Sequence, residues 1–334
     1  MKLIDTISGT PAVAMLGMCK NAGKTTAMNT LIRDHTGTGT LCVTSIGMDG
    51  ESRDRVTGTK KPAIWIREGM LAATAENLLP FCDVSREILS ATGIFTGLGE
   101  VIVFRAQSDG FVQLAGPSIA EQLGILRDIL KQFGTDRLLI DGALNRKSPL
   151  VGVMDGVCIL STGASLDRDM DRVVSETAYT AELLSLPLYS GKIILEPEQR
   201  SGAVKQIEIL HEDGTEERLQ RAEEIRNISG HDSIIFPGAL TESIAGALLQ
   251  NKSVQNDVTI VCKDSSCLLM RQETWQKLIS RNVRFAVQKR TDLAAVTVNP
   301  VSAGGWIFDP GAFLERMRAA VRIPVFDVMG DREN

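Results

Sequence analysis

Hydrophobic and polar positions along the chain follow two rhythms in turn. Short uninterrupted apolar runs of strand length give way to segments whose apolar residues recur every three or four positions. "AVAML" (12–16) predicts a buried strand, and "KTTAMNTLIRDH" (24–35) carries the helical period. The same reading predicts strands in "TLCVTSIG" (40–47) and "PAIWIREG" (62–69), then a helix over "MLAATAENLL" (70–79). "EVIVFRAQ" (100–107) and "GFVQLAG" (110–116), separated by "SDG", predict a hairpin. "SIAEQLGILRDILKQFG" (118–134) is amphipathic, with Ser118 and Glu121 spaced as a capping box at its start.

Further along, "DRLLIDGALNR" (136–146) predicts a strand ending in a polar loop, and "DGVCILSTG" (155–163) another strand. "SLDRDMDRVVSETAYTAELLSL" (165–186) predicts a long helix. After Pro187 the pattern changes, with β-like runs on both sides of "EDG" within 191–219. Alternation resumes through "SIIFPGALTESIAGALLQN" (233–251), "DVTIVC" (257–262), "ETWQKLISRN" (273–282), "LAAVTVNP" (293–300), "DPGAFLERMRAAV" (309–321) and "IPVFDVM" (323–329). Strands alternating with helices predict a layered α/β fold with a mostly parallel sheet. The change of pattern divides the chain into residues 1–186 and a C-terminal α/β region, 187–334, with a β-rich element over about 187–230. The later segments equally fit an extension of the first sheet.

Composition narrows the partners. With 43% hydrophobic and 23% charged residues the 334-residue chain has the make-up of a folded globular protein. A net charge of −5 and the lack of a Lys/Arg block disfavour nucleic acid. No secretory pattern opens the sequence, and no apolar stretch approaches the ~18 residues of a membrane span, so a cytoplasmic protein without a membrane is expected. The six cysteines lie mostly in apolar runs and are expected as buried thiols. Cys262 and Cys267 alone do not make the four ligands of a structural zinc site. The aspartates and arginines at 167–172 read as a solvated charged face, and Trp65, Trp275 and Trp306 as packing residues.

The chemistry concentrates in "GMCKNAGKTT" (17–26), set between the first strand and the first helix. The general phosphate loop is G-x4-G-K-[ST], whereas Gly17 and Gly23 enclose five residues. The part that touches phosphate, Asn21, Ala22, Gly23, Lys24, Thr25 and Thr26, is complete, and Lys20 before it is either a further phosphate contact or a solvated lysine. Gly23 lets the backbone approach the phosphates, and N–H groups at the helix start form an anion nest. Lys24 is the group to reach the β- and γ-phosphates, and the Thr25 hydroxyl is the one to meet Mg²⁺. A magnesium-bound triphosphate also needs carboxylates near the metal. Asp49 in "TSIGMDGE" lies just beyond the second strand and Asp141 in "LLIDGALNR" ends another, where carboxyl ends should lie beside this loop; the alternative for each is a turn carboxylate, since Asp-Gly is a common turn pair. Glu51 is either a water-orienting group or a surface acid. Asn145 and Arg146 either read the substrate, partner or phosphate side or belong to a solvated loop, and Asn299 in "TVNP" is either a base reader or part of a turn.

The G-x5-G-K-T spacing resembles the variant loops of the SIMIBI group of P-loop NTPases, including dethiobiotin synthetase and the molybdopterin-guanine dinucleotide accessory proteins. That resemblance implies the three-layer P-loop NTPase fold, ATP with Mg²⁺, Asp141 in the Walker B position and Asp49 as a second metal-side carboxylate. One departure stands out. The dimer-forming ATPases of the group carry a signature lysine five positions before the GKT lysine, and here that position is Cys19. "GMCKNAGKTT", "TSIGMDGE", "IDGALNR", "AAVTVNP" and "FDP…FLERMR…IPVFDV" together resemble the P-loop subunit of the reactivation factor for adenosylcobalamin-dependent lysine 5,6-aminomutase and ornithine aminomutase. The resemblance implies an ATP-hydrolysing accessory protein that works with the aminomutase and a second reactivase subunit. A small-molecule enzyme of cofactor biosynthesis, like dethiobiotin synthetase, or a nucleotide-binding scaffold are the alternatives.

Overall fold

The computed structural model describes residues 1–37, 39–46, 64–142, 156–191, 206–226 and 228–330. The chain forms two compact units, one of Met1–Ala181 with Asp292–Asn334 and one of Glu182–Thr291. The first unit's opening stretch ends at Ala181, ahead of the change of pattern at Pro187. The chain returns to the first unit at Asp292, because the strand that begins there pairs with the first unit's sheet.

The first unit is built on a nine-stranded sheet. Its strands are β1 (Ala12–Gly17), β2 (Thr40–Ser45), β4 (Leu71–Ala75), β5 (Arg86–Thr96), β6 (Gly99–Ala106), β8 (Thr135–Asp141), β9 (Gly156–Gly163), β17 (Asp292–Asn299) and β18 (Val325–Asp327). Two further short strands, β3 (Ile64–Ile66) and β7 (Gly110–Val112), pair with each other. The order across the large sheet is β18-β17-β9-β1-β8-β2-β4-β6-β5. Pairing is parallel from β18 to β4 and antiparallel at β4–β6 and β6–β5.

Parallel strands covered on both faces must be apolar throughout, which is why β1 is buried at all six positions. Val13, Met15, Val43, Leu139 and Ile159 share one core cluster with Ala27, Met28, Leu31 and Ile32 of α1 (Lys24–Asp34). Alternate residues of the same strands, Ala14, Ile140 and Leu160, are buried equally. On their side the Thr162 hydroxyl bonds the hydroxyl of Thr177 at 2.8 Å, which fixes the helix α3 (Met170–Leu184) against β9. Helix α2 (Ala120–Gln132) lies along β8, and α6 (Pro310–Ala320) follows β17.

Three expectations fail in this unit. Residues 70–79 hold β4 and a 3-10 turn (Glu76–Phe81) in place of a helix. All five residues of β4 are buried between β2 and β6, and that burial overrides the helical propensity of an alanine-rich run. The hairpin partner of β6 is β5, while β7 pairs with β3. The Ser118–Glu121 box does not form, since α2 starts from Ile119 with no side-chain cap.

In the second unit a five-stranded sheet has the order β11-β10-β12-β14-β16. The strands are β10 (Ile207–Leu210), β11 (Glu216–Leu219), β12 (Ser233–Ile235), β14 (Thr259–Cys262) and β16 (Arg284–Val287). The expected β-rich element is seen as the β10–β11 hairpin about "EDG", although residues 192–205 lie outside the described ones. Helices α4 (Glu242–Gln250) and α5 (Gln272–Ser280) are tied together by Glu242. Its carboxylate accepts from the Arg271 N–H at 2.7 Å and from the Thr274 hydroxyl at 2.6 Å. A small parallel pair, β13 (Leu240–Thr241) with β15 (Leu268–Leu269), completes the unit. Among the described residues no helix is long and apolar enough to cross a membrane.

Candidate functional site

From β1 the chain proceeds toward β2 on one side of the sheet, and from β9 toward β17 on the other. Where successive connections diverge in this way, the carboxyl ends of the strands open into a crevice. Residues 18–23 lie at that place. The loop is held at its start by the Met18 N–H, which donates to the Ser161 carbonyl of β9 at 2.8 Å.

Two residues of the loop are left-handed, Asn21 at φ 58° and Gly23 at φ 100°. Such residues turn successive N–H groups toward one side, the geometry of an anion nest. Gly23 is also the N-cap of α1, and no side chain caps the helix there. The first amides of α1 are therefore without intrahelical acceptors, at the positive end of the helix dipole.

Lys24 does not extend into solvent. A Cβ placed on Gly17 would stand 2.8 Å from its Nζ, so the ammonium curls back over the end of β1. Only glycine leaves it room. Ala22 is buried and contributes main chain, Thr25 is half-buried, Thr26 is buried and Lys20 is exposed. Cys19, at the position of the signature lysine, is half-buried. Burial pushes its thiol up to about 11, against the opposing pull of the Lys24 ammonium.

Asp141 ends β8 opposite Met15 of β1 and Ser45 of β2. Its carbonyl accepts from the Ile46 N–H at 2.8 Å, and the Gly142 N–H donates to the Met15 carbonyl at 3.0 Å. The acid thus stands beside the strand that leads into the loop, as its sequence position implied. Asp49 and Glu51 lie outside the described residues, as do Asn145 and Arg146.

Asn299 is brought to the same place from the end of β17. Its Nδ2 donates to the Asn21 carbonyl at 3.2 Å, and its Oδ1 accepts from the Val301 N–H at 3.0 Å. Neighbouring loops are stitched together by the Ala303 N–H, which donates to the Ser165 hydroxyl at 3.2 Å. Arg168 lies 4.8 Å from the centre of the Trp306 ring and stays exposed, as do Asp169, Asp171 and Arg172 of the same charged stretch. Asp167 and Glu176 do keep exposed ion pairs with Arg172, at 2.9 and 2.8 Å. Of the tryptophans only Trp275 is buried, packed 4.2 Å from the ring of Phe285. Ser161 and Gly163, which hold the loop and Asn299, carry no signal in the sequence beyond ending a strand.

In the second unit a recess of about 590 Å³ is lined by His211, Glu212, Asp213, Thr215, Ser229 and Asp232. At its floor Asp232, buried at 1% exposure, accepts from His211 Nδ1 at 3.0 Å. It also accepts from the Glu212 N–H at 3.0 Å and the Ser229 N–H at 2.9 Å. Burial alone would raise the Asp232 pKa, but these donors outweigh it and hold the carboxyl below its ordinary range. The cluster ties the β10–β11 turn to β12, a structural task. Among the described residues no group of three or more His, Cys, Asp or Glu is placed to hold a metal ion.

All six cysteines are unpaired, and four of them are buried. No protein-family model matches the chain, and no curated protein or solved structure matches it either.

Proposed function

We propose that the loop Gly17–Thr26 holds the polyphosphate of magnesium-bound ATP and that the protein hydrolyses it, within a P-loop NTPase fold. One observation carries the reading: an uncapped helix start, preceded by left-handed Asn21 and Gly23, has Lys24 folded back over Gly17 at the carboxyl end of a central parallel strand. Those are the groups a triphosphate requires, amides for its oxygens and one ammonium for its charge. In this reading the main chain of residues 22–25 cradles the phosphates, and Lys24 pairs with the terminal ones. The Thr25 hydroxyl and Asp141 serve the metal, Asp49 supplies a second carboxylate and Glu51 orients water. Magnesium supplies charge neutralisation at the transferred phosphoryl group.

The work done with the nucleotide is proposed from the resemblance to the aminomutase reactivases. ATP and its hydrolysed form favour different conformations of the protein. The two conformations bind an adenosylcobalamin-dependent aminomutase, together with a second reactivase subunit, with different affinity.

Calorimetry tests the site. Lys24→Ala is expected to abolish tight binding of Mg-ATP while the circular dichroism spectrum stays that of the parent; equal affinity in the two refutes the assignment. Asp141→Asn is expected to keep nucleotide binding and to lower Mg²⁺-dependent hydrolysis by at least about tenfold. The accessory role is tested by steady-state hydrolysis with and without aminomutase carrying damaged cobalamin. Failure of the aminomutase to stimulate turnover counts against it.

A further inference from the structure

Asn299 ends β17, two strands away from β1, yet its side chain reaches the loop that follows β1. Resting on the nucleotide reading above, we infer that Asn299 is a positioning residue for the phosphate loop, holding the amide cup in its binding shape, rather than a reader of the base.

The two ends of its amide are not interchangeable. The Asn21 carbonyl needs a donor and takes Nδ2, while the Val301 N–H needs an acceptor and takes Oδ1. The residue it grips, Asn21, is left-handed at φ 58°, a conformation that asparagine tolerates better than most side-chain-bearing residues. The contact extends two residues further. A Cβ on Gly23 would lie 3.3 Å from the Asn299 Cβ, so this side chain also walls off the second left-handed residue of the loop.

Asn299 is itself clamped. The Ala164 N–H donates to its carbonyl at 2.9 Å, and a Cβ on Gly163 would come within 2.4 Å of that oxygen. The loop is thus fastened at Met18 to Ser161 of β9 and at Asn21 to Asn299 of β17. At 9% exposure Asn299 offers a base little surface. Holding the cup in shape before the ligand arrives spares the ordering cost that binding otherwise bears, which raises affinity for any polyphosphate whatever base it carries.

Magnesium tripolyphosphate, which has no base, is therefore the discriminating probe, titrated beside Mg-ATP and Mg-GTP. Asn299→Ala is expected to weaken tripolyphosphate and ATP by the same factor, about tenfold, with the ATP-to-GTP preference unchanged. Asn299→Asp, which turns a carboxylate oxygen toward the Asn21 carbonyl, is expected to lose more. Titrations are run well below each variant's melting temperature, since a merely structural role would lower that temperature and leave the folded protein's affinity alone. The amide resonances of Ala22, Gly23 and Lys24 are expected to shift in the ligand-free variant.

Loss of ATP binding with tripolyphosphate binding intact, or no change in either, overturns the inference while the nucleotide reading survives. A parent protein that binds neither probe overturns both. Should neither variant fold, the parent decides. Its Asn299 side-chain NH₂ resonances are expected to respond equally to tripolyphosphate and ATP, and a response to ATP alone refutes the positioning role.

Discussion

Gly163 shows how a single missing methyl group positions a site. It ends β9 where a Cβ would press on the Asn299 carbonyl oxygen at 2.4 Å, and backbone cannot step aside as a flexible side chain can. Gly163→Ala is expected to destabilise the protein by about 1–3 kcal/mol, read from urea unfolding, and to weaken nucleotide binding in the folded variant. At Gly17 the obstructing atoms are Nζ, Cδ and Cγ of the flexible Lys24 side chain, so the corresponding alanine moves that side chain more than the fold. Cys19 illustrates the opposite influence of burial and charge on one thiol. With its pKa near 11 it is protonated at neutral pH despite the nearby lysine. Iodoacetamide at pH 7.5 is expected to leave it largely unmodified in the native protein and to alkylate it quickly in denaturant. Rapid native labelling, read by peptide mass spectrometry, would contradict that environment.

At the scale of elements, burial decides what local pattern leaves ambiguous. "LAATA" reads as helix by propensity, yet as β4 it lies in the sheet between β2 and β6 with each residue covered. A five-residue apolar run has no period by which strand and helix are told apart. β5 was invisible for the converse reason. It is an edge strand, largely exposed on both faces, with irregular pairing near Ile88–Ser90 and Ala91–Phe95, so neither face carries a clean alternation. The helix α2 was legible from its period while its start was misread. Its N-cap, Ile119, makes no side-chain bond, and Ser118 lies one place too early. Ser118→Ala is therefore expected to change stability by less than about 0.5 kcal/mol, where a working cap would cost about 1 kcal/mol. Thermal melts distinguish the two.

Across the whole molecule, residues Glu182–Thr291 form their own compact unit, and Asp232 marks where part of its stability resides. Its carboxyl is held below the ordinary value in the folded unit. The contribution is therefore complete above the unfolded-state pKa of about 4 and is lost as pH falls through the lower folded value. Asp232→Asn is expected to cost about 1–3 kcal/mol at pH 7, because donors from His211, Glu212 and Ser229 lose their carboxylate. Hydrogen exchange would register the loss in β10 and β12, with the gap between parent and variant narrowing below about pH 4. An equal gap at pH 3 and pH 7 would assign the stability to another group.

Legible in the chain were the glycine-rich loop between the first strand and the first helix, most of the strand–helix alternation and the position of Asp141 at a strand end. Each of these rests on neighbours in the chain: apolar period, glycine spacing, and the order strand, loop, helix. The tertiary structure alone decided that β17 rejoins the first sheet, that β6 pairs with β5, and that Asn299 grips Asn21. Those contacts join residues far apart in sequence, and they exist only because parallel strands, buried on both faces, must stack side by side until their carboxyl ends share one edge. No local pattern encodes which strand becomes the neighbour of which, so the loop was legible in the chain while the side chain that shapes it was not.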